Sequence, residues 1–327
     1  MIVTLTANPS LDRTLEVPHL RHGSVLRATA RHTDPGGKGV NVSRALAANG
    51  RKTVAVLPCG GTAGDRLAEL LAPQGVEVLA VPVLGEIRVN ISVVEPGGTV
   101  TKINEPGPVL TAQELDALAE ATVRAGQGAA WIALSGSLPP GTPDDLYAQL
   151  IHRIRGTGGH FPLIAVDSSG APLLAALAAG PDLIKPNRAE LAEASGLPVT
   201  TLGEAVAAAH ALRARGARTV LASLGADGAL LVDGSGAVHG RARVAEPRSA
   251  VGAGDALLAG YLSAGHLSAG QPATGSGGAE ALAEAVAWGA AATSLPGSRM
   301  PGRHDLDRGA VHLDPDFDPT RPLTERN

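Results

Sequence analysis

Residues 249–262, SAVGAGDALLAGYL, set one carboxylate, Asp255, between three small residues and an apolar run. The amides of Gly252, Ala253 and Gly254 would point out of a helix N-terminus, where the macrodipole favours an anion. With no large side chains in the way, a phosphoryl group could come within hydrogen-bond distance. Asp255 would then stand close enough to accept a proton from an attacking hydroxyl. Phosphoryl transfer asks a protein mainly to position groups and stabilise charge, so amides and one base could suffice. The same residues also fit a glycine-rich turn with an acid in the first helical turn, which serves structure alone.

Other stretches offer partners for such chemistry. LIKPNRAEL (183–191) ends an apolar run with Lys185, Asn187 and Glu190, polar groups at the edge where open α/β sheets bind ligands. Asn187 and Glu190, three apart, could organise Mg²⁺-bound water. They equally make a helix N-cap and its capping box. Asp12 in NPSLD follows the first strand, and GGKGVN (36–41) could bring bare backbone and Asn41 to a sugar. A turn aspartate and a flexible turn are the plain alternatives. Several common chemistries lose ground: there is no G-x-x-x-x-G-K-[ST], no G-x-G-x-x-G after the first strand, no G-x-S-x-G and no histidine pair at metal-ligand spacing.

The elements that must position these residues follow from hydrophobic periodicity. Apolar runs at 2–6, 53–58, 129–136, 162–167 and 182–186 read as buried strands, and 41–50, 65–75, 111–126 and 142–158 carry helical spacing. Their alternation predicts a mainly parallel sheet covered on both faces. Residues 219–243 read as strands joined by turns that close the sheet antiparallel. Two segments break the rhythm: 87–104, two strands around Pro-Gly-Gly, and 24–33, which would set Arg27, Thr29, Arg31 and Thr33 on one face. They predict a small projecting sheet whose apolar side (Ile87, Val89, Ile91, Val93) needs a cover, most simply a second subunit. The stretch 265–280, rich in Gly, Ser and Pro, reads as a mobile surface loop, and the tail from Asp314 is expected to fray.

Bulk properties agree with such a protein. Of 327 residues 44 % are hydrophobic but only 2 % aromatic, so the core must be Ala, Val, Leu and Ile, as suits an α/β layer fold. A net charge of −4 gives no reason to expect nucleic acid or an anionic membrane as partner. Cys59 is the one cysteine, so no intrachain disulfide can form, and no stretch approaches the roughly 20 apolar residues of a membrane span. The expectation is a cytoplasmic protein.

NPSLD, GGKGVNVSRAL, IRVN, SGSLPPG (135–141), VDSSG (166–170), KPNRAEL, SLGADGALL and VGAGD occur in this order over roughly residues 1–300. Together they resemble the phosphofructokinase B family of ribokinase-like sugar kinases. The resemblance implies a ribokinase-like domain over 1–313, with lid segments at about 12–35 and 86–104 that also form a homodimer interface. It implies ATP and Mg²⁺, with Asp255 as catalytic base and Gly252, Ala253 and Gly254 as the anion hole. Lys185, Asn187 and Glu190 would belong to the ATP–Mg²⁺ side, Asn187 and Glu190 reaching the metal through water, while Ser223 and Gly225 line the nucleotide phosphates. Asp12, Gly37, Lys38, Asn41, Arg88 and Ser137 would contact the sugar phosphate, and Arg27 matches a lid position that contacts substrate phosphate.

Two positions depart from the family pattern. Ile87 stands where many relatives have threonine, and Ala250 where a hydroxyl residue is common. The implied reaction is ATP-dependent phosphorylation of fructose 1-phosphate at its C6 hydroxyl, giving fructose 1,6-bisphosphate and ADP. Lys38, Arg88 and Arg27 at the sugar end are more cations than a neutral hexose needs, whereas a phosphate dianion does need them. Tagatose 6-phosphate and fructose 6-phosphate are the alternatives within the class. A non-catalytic sugar-phosphate sensor is the alternative outside it, though binding alone would not need Asp255.

Overall fold

The computed structural model describes residues 1–156, 161–264 and 276–324. At its centre lies β1 (Ile2–Thr6), flanked on one side by β4 (Thr53–Cys59) and β5 (Glu77–Pro82). On the other side follow β8 (Trp131–Ser135), β9 (Leu163–Asp167), β10 (Leu183–Ile184) and β11 (Thr219–Ser223), all parallel to β1. β12 (Ala229–Asp233), β13 (Gly236–Ala242) and β14 (Val311–Asp314) extend the sheet antiparallel, as residues 219–243 led one to expect. β1, β8 and β9 are buried along their whole length, which explains why they read as continuous apolar runs rather than alternating ones.

Helices cover both faces. On one lie α1 (Lys38–Ala48), α8 (Ala253–Ala264) and α9 (Ser276–Thr293), where Trp131 meets Tyr261 edge-on at 6.4 Å and Trp288 is buried. On the other lie α3 (Ala112–Ala125), α4 (Leu146–Arg155), α5 (Gly170–Ala178), α6 (Arg188–Ser195) and α7 (Leu202–Ala214). Thr111 with Glu114 and Thr201 with Glu204 form reciprocal capping boxes that fix where α3 and α7 begin. The order along the sheet reverses at β1, whose neighbours β4 and β8 follow it in sequence on opposite sides. Such a switch point opens a crevice at the carboxyl ends of the strands, and the polar strand-end residues converge there. Residues 265–275 of the expected surface loop, and 157–158 of the expected helix end, lie outside the described residues. Residues 276–280 begin α9 rather than a loop.

The projecting sheet exists, in the order β3–β2–β6–β7: β2 (Ser10–Glu16), β3 (Ala30–Gly36), β6 (Arg88–Val94) and β7 (Val100–Ile103). Leu11, Arg13 and Leu15 pair with Val89, Ile91 and Val93 on one face, and Ser10, Asp12 and Thr14 with Arg88, Asn90 and Ser92 on the other. It is anchored through Leu11 and Ile87, which pack with Leu67 and Leu71 of α2 (Gly61–Leu71). Two expectations need correction. β3 begins at Ala30, because its partner β2 ends at Glu16, so Arg27 and Thr29 fall outside the strand. Arg31 and Thr33 pair with Leu15 and Arg13, which puts them on the apolar face and makes that face mixed.

The tail does not fray up to residue 324. Gly203 and Leu202 donate backbone N–H groups to the carbonyls of Pro319 and Arg321, and Leu323 donates to Thr200. Leu323 is buried, and the amide and hydroxyl of Thr324 reach the Asp227 carboxylate at 2.7 and 3.1 Å. Single backbone contacts of this kind leave no periodic pattern, so the packing was invisible beforehand. Leu323→Ala should cost about 2–3 kcal/mol, the lower part of the range of about 2–5 kcal/mol for a truncated core leucine. Urea unfolding measures it, and an unchanged midpoint would show that the tail contributes nothing to the core.

Candidate active site

α8 starts immediately after Gly252, whose φ of 76° lies in the left-handed region where a β-carbon is strained. The first turn of a helix leaves its amides without intrahelical partners. Ala253, Gly254 and Asp255 line a cleft of about 760 Å³. Asp255 is only 8 % exposed, and its Oδ2 accepts a hydrogen bond from Asn41 Nδ2 at 2.8 Å. Burial raises its pKa above the ordinary carboxylate range and the charge of Asp167 adds to that; Lys185, the Asn41 hydrogen bond and Lys38 offset only part.

Behind this turn lies a chain of alternating charges. Asp167, at the end of β9, has no exposed surface. Its Oδ1 accepts from Lys38 Nζ at 2.8 Å, and its Oδ2 lies 3.3 Å from Lys185 Nζ. Lys38 Nζ also donates to Glu190 Oε1 at 3.3 Å. Lys185 stands over the helix start: a β-carbon at Gly254 would be 3.4 Å from its ammonium. Amides and an ammonium therefore face the same space, as an anion would require. Lys38, expected at the sugar phosphate, is paired here with two carboxylates and lines the cleft. Burial opposes its charge, but Asp167 and Glu190 outweigh that and hold the ammonium more firmly protonated than usual.

For Asn187 and Glu190 the capping box is realised. Asn187 Oδ1 caps α6 by accepting from the amides of Ala189 and Glu190, while Glu190 Oε2 accepts from the Asn187 amide. This leaves Glu190 Oε1 to face Lys38, and both residues line the cleft. Ser223, at the end of β11, bridges to Asn187, and Gly225 opens the next turn; both also line the cleft.

Toward the projecting sheet, Asp12 Oδ1 accepts from Ser10 Oγ at 2.7 Å and Asn90 Nδ2 at 3.0 Å. Arg88 donates to the carbonyls of Asn8 at 3.0 Å and Glu105 at 3.3 Å, with its buried Nε left unpaired, beside a second cleft of about 390 Å³. Burial lowers its pKa, and Asp12 offsets part of this. Gly37 caps α1 at a φ of 114°, with Thr6 so close that a β-carbon would stand 2.8 Å from its Cγ2. Ser137 is exposed just beyond β8. Arg27 is exposed on the connection between β2 and β3 and meets none of these groups. Asp167, Ser10 and Asn90 had been given no role from sequence. Asp167 ends an apolar strand and Asn90 stands two residues after Arg88, which were the signals available.

A family model described as pfkB family carbohydrate kinase matches residues 6–303. The chain belongs to this family of sugar kinases. It is 39 % identical over 264 residues to the 1-phosphofructokinase of Xanthomonas campestris pv. campestris, covering 79 % of this chain and 82 % of that one. It is 35 % identical over 315 residues to the ATP-dependent 6-phosphofructokinase isozyme 2 of Escherichia coli, covering 95 % and 98 %. The solved structure of phosphofructokinase-2 from Escherichia coli in complex with substrates and products superposes with a TM-score of 0.83 at 35 % identity, over 93 % of this chain and 96 % of that one. For a pfkB kinase the expected ribokinase-like fold is thereby confirmed, as is ATP as the phosphoryl donor of the class.

The burial of Asp255 has a measurable stability signature. Because its native pKa is raised, the folded state binds a proton more readily than the unfolded one. Stability must then fall as pH rises from the ordinary carboxylate value to the native one, and stay reduced above both. Asp255→Asn should therefore be more stable than the parent at pH 8, by something on the order of 1 kcal/mol. The advantage should vanish below about pH 3, under the ordinary carboxylate value. Equal urea midpoints at pH 8 would contradict the assignment.

Proposed function

We propose that this kinase transfers the γ-phosphoryl group of ATP to the C6 hydroxyl of fructose 1-phosphate, giving fructose 1,6-bisphosphate and ADP. The observation that carries the reading is Asp255, buried at the start of α8, with Ala253 and Gly254 lining the same cleft and Lys185 above them. The acceptor oxygen attacks the γ-phosphorus, its proton passes to the free Oδ1 of Asp255, and ADP leaves. The amides of Gly252, Ala253 and Gly254, with Lys185, take up the negative charge of the transferring group. Asn187, Ser223 and Gly225 hold the nucleotide phosphates. Asp12, Gly37, Asn41 and Ser137 hold the sugar, and Arg88 its phosphate through the terminal guanidinium hydrogens that the Asn8 and Glu105 carbonyls leave over.

Mg²⁺ is part of the proposal. Glu190 offers a hard oxygen in the cleft with Asn187 beside it, while the space between Glu190 and the unexposed Asp167 is taken by the Lys38 ammonium, so the ion would be reached through water. The Asn187 carbonyl is committed to two backbone amides, so its contribution would go through water. The ion would neutralise charge on the ATP phosphates. Among the described residues no group of three or more His, Cys, Asp or Glu could hold a metal ion by itself.

Fructose 1-phosphate is preferred on the strength of the 1-phosphofructokinases among the relatives. Fructose 6-phosphate is the second reading, favoured by the 6-phosphofructokinase matched over nearly the whole chain. With saturating MgATP, kcat/KM should fall in the order fructose 1-phosphate, fructose 6-phosphate, fructose. A preference for free fructose would contradict the role of Arg88, and a preference for a 6-phosphate would select the second reading. Asp255→Asn should lower kcat by about 10² or more, within the range for a general base.

The lid is proposed to pair two subunits. Val89, Ile91 and Val93 are only half-buried within one chain, and Ile103 opposite Ile91 is 58 % exposed. Val89→Asp should shift the protein from dimer to monomer on gel filtration and weaken sugar-phosphate binding, because Arg88 is the preceding residue. A monomeric parent with full activity would remove the interface.

A further inference from the structure

Arg44 is a cation almost out of reach of water, 6 % exposed, on the inward face of α1. Among the described residues no carboxylate lies within ion-pair distance of it. Burying a guanidinium without a paired anion is costly, so the contacts it does make need an explanation. Its Nη1 donates to Asn41 Oδ1 at 3.1 Å and to the carbonyl of Pro35 at 3.1 Å, and its Nε donates to Gln74 Oε1 at 2.8 Å. Asn41, one helical turn earlier, is the residue whose Nδ2 donates to Asp255 Oδ2.

A carboxamide has one accepting and one donating end, and either could face a carboxyl group. With the oxygen toward Asp255, the hydrogen bond would need a protonated acid, which cannot accept a proton. A guanidinium only donates. It therefore compels the Asn41 oxygen to turn toward it and the amide hydrogens toward Asp255. We infer that Arg44 is a positioning residue that fixes the orientation of Asn41, and through it holds Asp255 ionised with Oδ1 free for the sugar hydroxyl. The same nitrogen grips the Pro35 carbonyl, directly before the Gly36–Gly37 turn. The sugar-side turn and the base are thus set by one side chain. This rests on Asp255 acting as the base.

The test is a double-mutant cycle in the full-length protein, read as kcat and KM with MgATP and fructose 1-phosphate. Arg44→Met should lower kcat about tenfold or more, the scale of a misplaced catalytic group, with KM for ATP unchanged. In the Asn41→Leu background, where there is no amide to orient, Arg44→Met should cost no further kcat. Arg44→Lys keeps a donor-only cation and should retain more activity than Arg44→Met. Equal kcat losses from Arg44→Met in both backgrounds would overturn the inference, since a merely structural role is indifferent to Asn41. If Arg44→Met does not fold, the cycle is run with Arg44→Lys, and the same background dependence decides. Asp255→Asn is measured alongside: near-normal turnover there would overturn the base and the inference together. An inactive Asp255→Asn with wild-type Arg44 variants would overturn the inference alone.

Discussion

A single aspartate without solvent exposure, Asp167, holds two ammonium groups at the carboxyl end of the sheet, and the arrangement of the cleft depends on it. Its partners come from different parts of the chain: Lys38 from the start of α1 and Lys185 from the end of β10. Charges taken this far from water are tolerable only when paired, and removing one partner leaves an uncompensated charge behind. The pairing therefore ties the glycine turn before α1, the end of β9 and the end of β10 into one geometry. It also sets the electrostatics of Asp255, which burial and Asp167 push one way and the two lysines push the other.

Asp255 itself is placed by apolar packing. α8 is buried on every side from Asp255 to Ser263, against α1, α9 and the sheet. A helix enclosed in this way has little freedom to rotate or slide, so its first turn presents the same amides and the same carboxylate to the cleft. The small residues there leave the backbone accessible. The scarcity of aromatic residues has a counterpart here: Trp131, Tyr147, Tyr261 and Trp288 are all buried in the main body, and Ala, Val and Leu fill the rest.

The projecting sheet holds a second group of polar residues. Its polar face carries Asp12, oriented by Ser10 and Asn90, and Arg88, oriented by two carbonyls. Its other face mixes Leu11, Val89, Ile91 and Val93 with Arg13 and Arg31. A strictly apolar face would aggregate on exposure, whereas charges among the aliphatics permit pairing with a defined partner. The substrate contacts and the subunit contacts proposed above would thus share the same strands.

Much of this was legible in the sequence, for a local reason. Which residues alternate and which recur at helical spacing depends only on near neighbours, so the parallel strands, the flanking helices and the projecting sheet could be read directly. The junction at Asp255 was legible too, since a glycine turn, bare amides and an acid in a first helical turn lie within four residues. What folding alone decided is which strand ends stand side by side. Lys38 meets Asp167 across 129 positions and Glu190 across 152, contacts created by the order of strands in the sheet. Coulombic pairing acts through space, so it drew Lys38 to the carboxylates and left Arg88, half-buried, as a cation of the projecting sheet paired only with carbonyls. The tail is the same case, held by isolated backbone hydrogen bonds that no periodicity records.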